Sequence, residues 1–297
     1  MSGPVLKDIL AGVAADIEIE LDRLLARDTA AVPPRLLEAM RYACLEAGKR
    51  FRPLLVHVGA ALGAVDRAAV QRVGAAVELV HCYSLIHDDL PAMDDAELRR
   101  GKPSVHRRFD EATAILAGDA LNALALEVLA REDWPAPAAL RLELVVGLGR
   151  AAGAAGMCGG QMLDLESSSE RPLSEEDLIR LQRLKTGALI GFALEAGARL
   201  AGLDAAARDA LGVYADALGL AFQIRDDLLD LEAETTGKTA GRDAALGRKT
   251  FVTLLGAPAA RARLARLRQQ GEDALIRANL ETDLLGQLFD FVIDRSS

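Results

Sequence analysis

An all-α fold is predicted by three features of the 297-residue chain. Apolar residues recur at three- and four-residue spacing along most of its length. Alanine and leucine, strong helix formers, supply much of the 51% hydrophobic content, while aromatic residues make up only 4%. No segment alternates apolar and polar residues as a half-buried strand would. Charged residues are 27%, a globular rather than a disordered balance. A chain of this length can bury a large core, and no linker-like stretch divides it, so a single domain over 1–297 is expected.

The elements follow in order. Ile9, Val13, Ile17, Leu21 and Leu24-Leu25 give a first amphipathic helix. Pro33-Pro34 closes the next linker and opens a second helix running to about Gly48. A third is expected over 54–62, and a long apolar one over 68–87. Pro91 lacks a backbone donor, so this helix must bend or stop there. Another runs over 111–130, entered near Asp110, and Trp134-Pro135 with Pro137 marks a loop. Residues 140–165 read as one helix, although Gly153, Gly156, Gly159 and Gly160 would weaken it. Close packing of another helix would explain them. Ser174 with Asp177 forms a capping-box variant opening helices over roughly 174–201 and 205–231. Residues 232–248 form a loop long enough to suspect function. The C-terminal third is charged and helical.

Bulk properties exclude several classes. A net charge of −9 and a pI near 5.1 argue against non-specific nucleic-acid binding. Cys44, Cys82 and Cys158 are scattered, form no CxxC, and read as thiols in a reducing compartment. The acidic N-terminus lacks the basic start of a signal peptide. The longest apolar stretch, 112–130, is interrupted by Asp119, Asn122 and Glu127, so no membrane span is expected. These features set the expectation of a cytoplasmic protein.

Two acidic clusters carry the functional signal. Asp88-Asp89-Leu90-Pro91-Ala92-Met93-Asp94-Asp95 follows the apolar stretch 80–87, and Asp226-Asp227-Leu228-Leu229-Asp230 follows 218–224. Carboxylates ending buried helices repel one another unless something positive joins them. A hard divalent cation with oxygen ligands does so. On a helix Asp226 and Asp230 share a face, and the bend at Pro91 folds Asp94 back toward Asp88 if an ion lies between them. One such cluster alone is weak evidence, because acidic clusters are common on solvated helix faces; two that could face each other suggest several Mg²⁺ ions and a diphosphate.

Basic groups gather as well: Lys49, Arg50 and Arg52 in one run, Arg99, Arg100 and Lys102 after the first acidic cluster, and Lys185 with Thr186 in a helix otherwise apolar on that side. Arginine and lysine are phosphate binders. His81 lies two helical turns before Asp88 on nearly the same face and could donate to a phosphate; a lone helical histidine is also a common core residue. His87 adjoins Asp88 and could support it. Gly237-Lys238 is a short pair carrying little signal alone.

Taken together, GKRFRP at 48–53, LIHDDLPAMDDAELRRGKPSVH at 85–106, GGQMLDL at 159–165, KTG at 185–187 and FQIRDDLLD at 222–230 resemble the trans-isoprenyl diphosphate synthases, on the side of the short-chain bacterial farnesyl diphosphate synthases. The resemblance covers about 49–256. It implies an isoprenoid synthase-type bundle of long helices around a central cavity, a homodimer, and condensation of isopentenyl diphosphate with an allylic diphosphate. It implies three Mg²⁺ ions, with Mn²⁺ as the other candidate. Asp88 and Asp94, supported by Asp89, and Asp226, supported by Asp227 and Asp230, would hold them. Arg99, Lys185 and Lys238 would hold the allylic diphosphate. Lys49, Arg52, His81 and Arg100 would hold isopentenyl diphosphate. Thr186 and Gln223 would flank the reaction centre, with Gln161 and Asp164 behind them. Tyr83 and Ser84, five and four residues before the first aspartate, would form the floor that limits product length.

Three positions depart from the family pattern. Ala47 replaces a glycine, Ala96 interrupts an acidic run, and 247–252 reads Gly-Arg-Lys-Thr-Phe-Val with Arg248 where lysine is usual. The rival reading within the family is a geranylgeranyl diphosphate synthase. A terpene cyclase would carry a different second metal motif from DDLLD. A silent regulatory subunit would typically lose one aspartate motif, and both are intact here.

Overall fold

The structure, a computed structural model, describes residues 4–27, 29–45, 48–167, 173–235 and 250–295. It is a bundle of α-helices. Helix α1 (Pro4–Leu25) and α2 (Pro34–Cys44) lead into α3 (Phe51–Ala60) and α4 (Arg67–Asp88). A two-strand hairpin, β1 (Leu98–Arg99) and β2 (Lys102–Pro103), and the short α5 (Val105–Arg108) follow. Then come α6 (Glu111–Ala130), α7 (Ala138–Ala152), α8 (Met157–Glu166), α9 (Glu175–Gln182) and α10 (Ala188–Leu200). The chain continues with α11 (Ala205–Thr235), α12 (Phe251–Leu255), α13 (Ala257–Arg277) and α14 (Asp283–Asp294).

Caps set the helix starts. Asp66 accepts from the Ala68 amide and opens α4, which stops at Asp88, three residues before Pro91. Asp110 accepts from the Thr113 amide and opens α6. Ser174 and Asp177 form the expected reciprocal capping box of α9. The core is mostly leucine, valine and alanine, with Leu54, Leu79, Leu121, Leu144 and Leu194 fully buried where the helices meet. Helices α3 and α10 approach so closely that a Cβ on Gly197 would lie 2.1 Å from the Val56 carbonyl.

Three expectations are corrected. Residues 140–165 are two helices: the chain breaks at 153–156, where a Cβ on Gly156 would lie 2.2 Å from the Ala151 carbonyl. The segment 174–201 is interrupted by a π-helical turn, Arg183–Gly187, between α9 and α10. The hairpin pairs Leu98 with Pro103 and Arg99 with Lys102, and its turn uses Arg100 and Gly101 at positive φ, 53° and 76°. Its strands are too short for alternation to register in the sequence. Helix α6 is long and apolar enough to cross a membrane by length and composition, yet 44% of its most apolar window is buried in the bundle. Most of the suspected functional loop 232–248, including Lys238 and Arg248, lies outside the described residues, as does Ala47.

Candidate active site

Helix α4 delivers His81, Ser84 and Asp88 along one side, at three- and four-residue spacing. With Arg52 from α3, Gln161 from α8, and Lys185 and Thr186 from the π turn, they line a cavity of about 390 Å³. Tyr83 and His87 line it as well, and Met157, Met162 and Leu165 add apolar wall. Both side-chain polar atoms of Gln161 are buried without a hydrogen-bond partner, so they are available to a ligand.

The Asp88 carboxylate makes no side-chain hydrogen bond or ion pair among the described residues. Burial raises its pKa to about 6; Lys185 offsets this in part, and Asp94 adds to it. The chain returns after Pro91 as expected, with the Asp94 amide donating to the Asp88 carbonyl at 2.9 Å. Asp89 is buried and engaged by Arg99, whose Nε lies 3.0 Å from Oδ1. Its carboxylate thereby orients that guanidinium.

Lys185 donates to Asp164 at 2.6 Å. The π turn carrying Lys185 lies against Gly160 of α8, where a Cβ would sit 2.1 Å from the Lys185 amide nitrogen. The close packing expected around the glycines is found here. π turns recur at functional sites because they swing a side chain out of helical register.

A second basic group forms beside α3. Arg52 Nη1 lies 3.2 Å and Arg100 Nη2 3.5 Å from His81 Nε2. Burial, followed by the nearby arginines, holds the His81 imidazole well below its usual pKa, so it is neutral at pH 7. Gly48 leaves room for the Arg100 guanidinium, 2.7 Å from where a Cβ would be. Lys49 is exposed just before α3. Arg50, in the same basic run, turns away with a left-handed φ of 51°. It forms a buried ion pair with Glu78 at 2.8 Å and reaches Glu18 at 2.6 Å.

On α11, Asp227 is buried, accepting from the Phe251 amide at 2.7 Å and from Gln223 at 3.2 Å. Thus the segment that departs from the family pattern near 250 anchors the second aspartate motif. Asp226 pairs with Arg295 at 2.7 Å, a contact that spacing along the chain could not foretell. Asp226 is also close enough to Arg52 to attract its guanidinium. Asp230 is exposed on the same helix. Among the described residues, no three carboxylates, imidazoles or thiols are gathered tightly enough to hold a metal by themselves. Sparse oxygen donors suit Mg²⁺, which typically takes one or two carboxylates and completes its shell with substrate phosphates and water. The half-buried Asp88, without a side-chain ion pair among the described residues, fits that demand.

This bundle, with aspartates on two helices and basic groups beside them, defines a class, and comparison places the chain within it. The polyprenyl synthetase family model matches residues 33–278. The farnesyl diphosphate synthase of Escherichia coli K12 is 44% identical over 269 residues, covering 88% of this chain and 89% of that one. A geranylgeranyl pyrophosphate synthase of Arabidopsis thaliana is 41% identical over 250 residues, 82% of this chain and 69% of that one. The crystal structure of an FPP/GFPP synthase from Zymomonas mobilis superposes with a TM-score of 0.86 at 44% identity, covering 97% and 98% of the two chains. The chain belongs to the polyprenyl synthetase family.

Proposed function

We propose that this chain is a farnesyl diphosphate synthase, condensing isopentenyl diphosphate with dimethylallyl and then geranyl diphosphate. The observation that carries the reading is the single cavity in which Asp88, Lys185 and the Arg52–His81 group share walls with Tyr83 and the methionines of α8. Such a cavity suits a substrate that is anionic at one end and hydrocarbon at the other. Farnesyl diphosphate synthases of Escherichia coli and Geobacillus stearothermophilus, 44% and 40% identical, support a C15 product over the C20 alternative.

Arg99 and Lys185 hold the allylic diphosphate, with Lys238 assigned to the same task from the sequence. Arg52, His81 and Arg100 hold isopentenyl diphosphate, with Lys49 at the edge. Asp88, Asp94 and Asp226 are the Mg²⁺-holding residues, and Asp89, Asp227 and Asp230 orient what surrounds them. Bound Mg²⁺ would neutralise the diphosphate as it becomes a leaving group. The allylic carbon–oxygen bond breaks, the isopentenyl double bond forms the new carbon–carbon bond, and a proton passes to the released diphosphate. Thr186 and Gln223 flank the reacting carbons, and the apolar wall keeps water from the cation. A single domain and a homodimer complete the reading. Exposed Ile115 and Leu116 on α6, and separately Leu142 and Val146 on α7, leave apolar surface for a second copy.

The test is mass-spectrometric product analysis with Mg²⁺, isopentenyl diphosphate and either allylic starter. A C15 product is expected. A C20 product would replace the length assignment, and the absence of any product from folded protein would favour a silent subunit.

A further inference from the structure

Relatives with this fold are named for farnesyl, FPP/GFPP and geranylgeranyl products. Membership of the family therefore does not decide product length, and the determinant is sought in the cavity. We propose that Cys158 is a specificity-determining residue, its thiol fixing the hydroxyl of Tyr83 across the cavity and so holding the floor that stops elongation. The inference rests on the prenyl-transfer reading above.

A tyrosine ring is a floor only if it cannot swing aside. Tyr83 is buried on α4, with two restraints on its ring. One is His87, one turn further along, whose ring meets it edge-on at 5.8 Å. His87 has no room to retreat. Its Nε2 lies 3.0 Å from the Ile115 carbonyl of α6, to which it donates, and a Cβ on Gly118 would fall 2.1 Å from that nitrogen. The α6 side of the ring is therefore closed by backbone.

The other restraint is Cys158 on α8. Its Sγ lies 3.6 Å from the Tyr83 hydroxyl, and both residues line the cavity. Helix α8 is itself fixed, because Gly160 abuts the Lys185 turn. The Cys158 sulfur is the α8 atom that meets the ring tip. Removing it frees the ring to yield toward α8 when a longer chain presses on it. Enlarging it crowds the cavity and ends elongation sooner.

The experiment compares product lengths from the full chain and its variants, using Mg²⁺, isopentenyl diphosphate and dimethylallyl diphosphate. Cys158→Ser keeps a hydrogen-bonding partner and is expected to keep the parent profile. Cys158→Ala is expected to raise the C20:C15 ratio at least threefold, and Cys158→Phe to shift product toward C10. An unchanged ratio in Cys158→Ala, with Tyr83→Ala lengthening the product, overturns the proposal. An unchanged product in Tyr83→Ala instead removes Tyr83 as the floor, a failure of the underlying reading that this control makes separate. Should Cys158→Ala not fold, methylthiolation of the parent replaces it. Cys158 is exposed whereas Cys44 and Cys82 are buried, so the reagent is selective. Shorter products then support the clamp, and an unchanged profile overturns it.

Discussion

At the scale of single residues, neighbours in one motif have opposite duties. In GKRFRP, Lys49 and Arg52 stay with the site, while Arg50 is committed to the core. Its side chain is 2% exposed and shares that burial with Glu78, also 2% exposed. The pair is costly to desolvate, and its worth shows when one partner is removed. Arg50→Met is expected to destabilise the fold by about 3–5 kcal/mol, because Glu78 is left as an uncompensated buried charge. A urea or guanidinium midpoint measures this. A loss below about 1 kcal/mol would mean that water reaches Glu78. The sequence showed the basic run but not its division. The one available signal was Glu78 itself, the single charged residue within the apolar run 73–80.

At the scale of elements, the long helices were legible because periodicity reports which face is buried, and Asp66, Asp110 and Ser174 mark where backbone amides need partners. Periodicity does not report hydrogen-bond register. The π turn at 183–187 therefore read as ordinary helix, and the break at 153–156 read as a glycine-rich stretch of one. Those glycines do have a packing cause at Gly160. Gly160→Ala is expected to push α8 off the Lys185 turn and weaken the Lys185–Asp164 contact. A misplacement of about 1 Å can cost about 100-fold in rate, so kcat/KM for the allylic substrate should fall 10- to 100-fold. A lowered melting temperature with unchanged kcat/KM would show that Gly160 serves stability alone.

At the scale of the whole molecule, the aspartate and basic motifs were legible as a set, yet the sequence could not show that the last described residue closes on one of them. Phe51 on α3 packs against Phe222 on α11 and stacks with Phe291 on α14, bringing the C-terminal helix to the second aspartate motif. Arg295 then lies with its guanidinium carbon 3.7 Å from the Phe222 ring centroid, donates to the Phe222 carbonyl at 2.7 Å, and pairs with Asp226. Arg225 holds it there by donating to the Arg295 carbonyl at 2.7 Å. The guanidinium thus competes with any metal ion for an Asp226 oxygen. A charged hydrogen bond is worth about 1.5–3 kcal/mol. Arg295→Ala is therefore expected to tighten Mg²⁺ binding, in the presence of inorganic diphosphate, by about tenfold in calorimetric titration. The same variant should melt earlier than the parent without metal, because the ion pair with Asp226 and the packing on Phe222 are both lost. An unchanged Mg²⁺ affinity would mean that Arg295 only packs the C-terminus against Phe222, and the competition between side chain and metal would have to be abandoned.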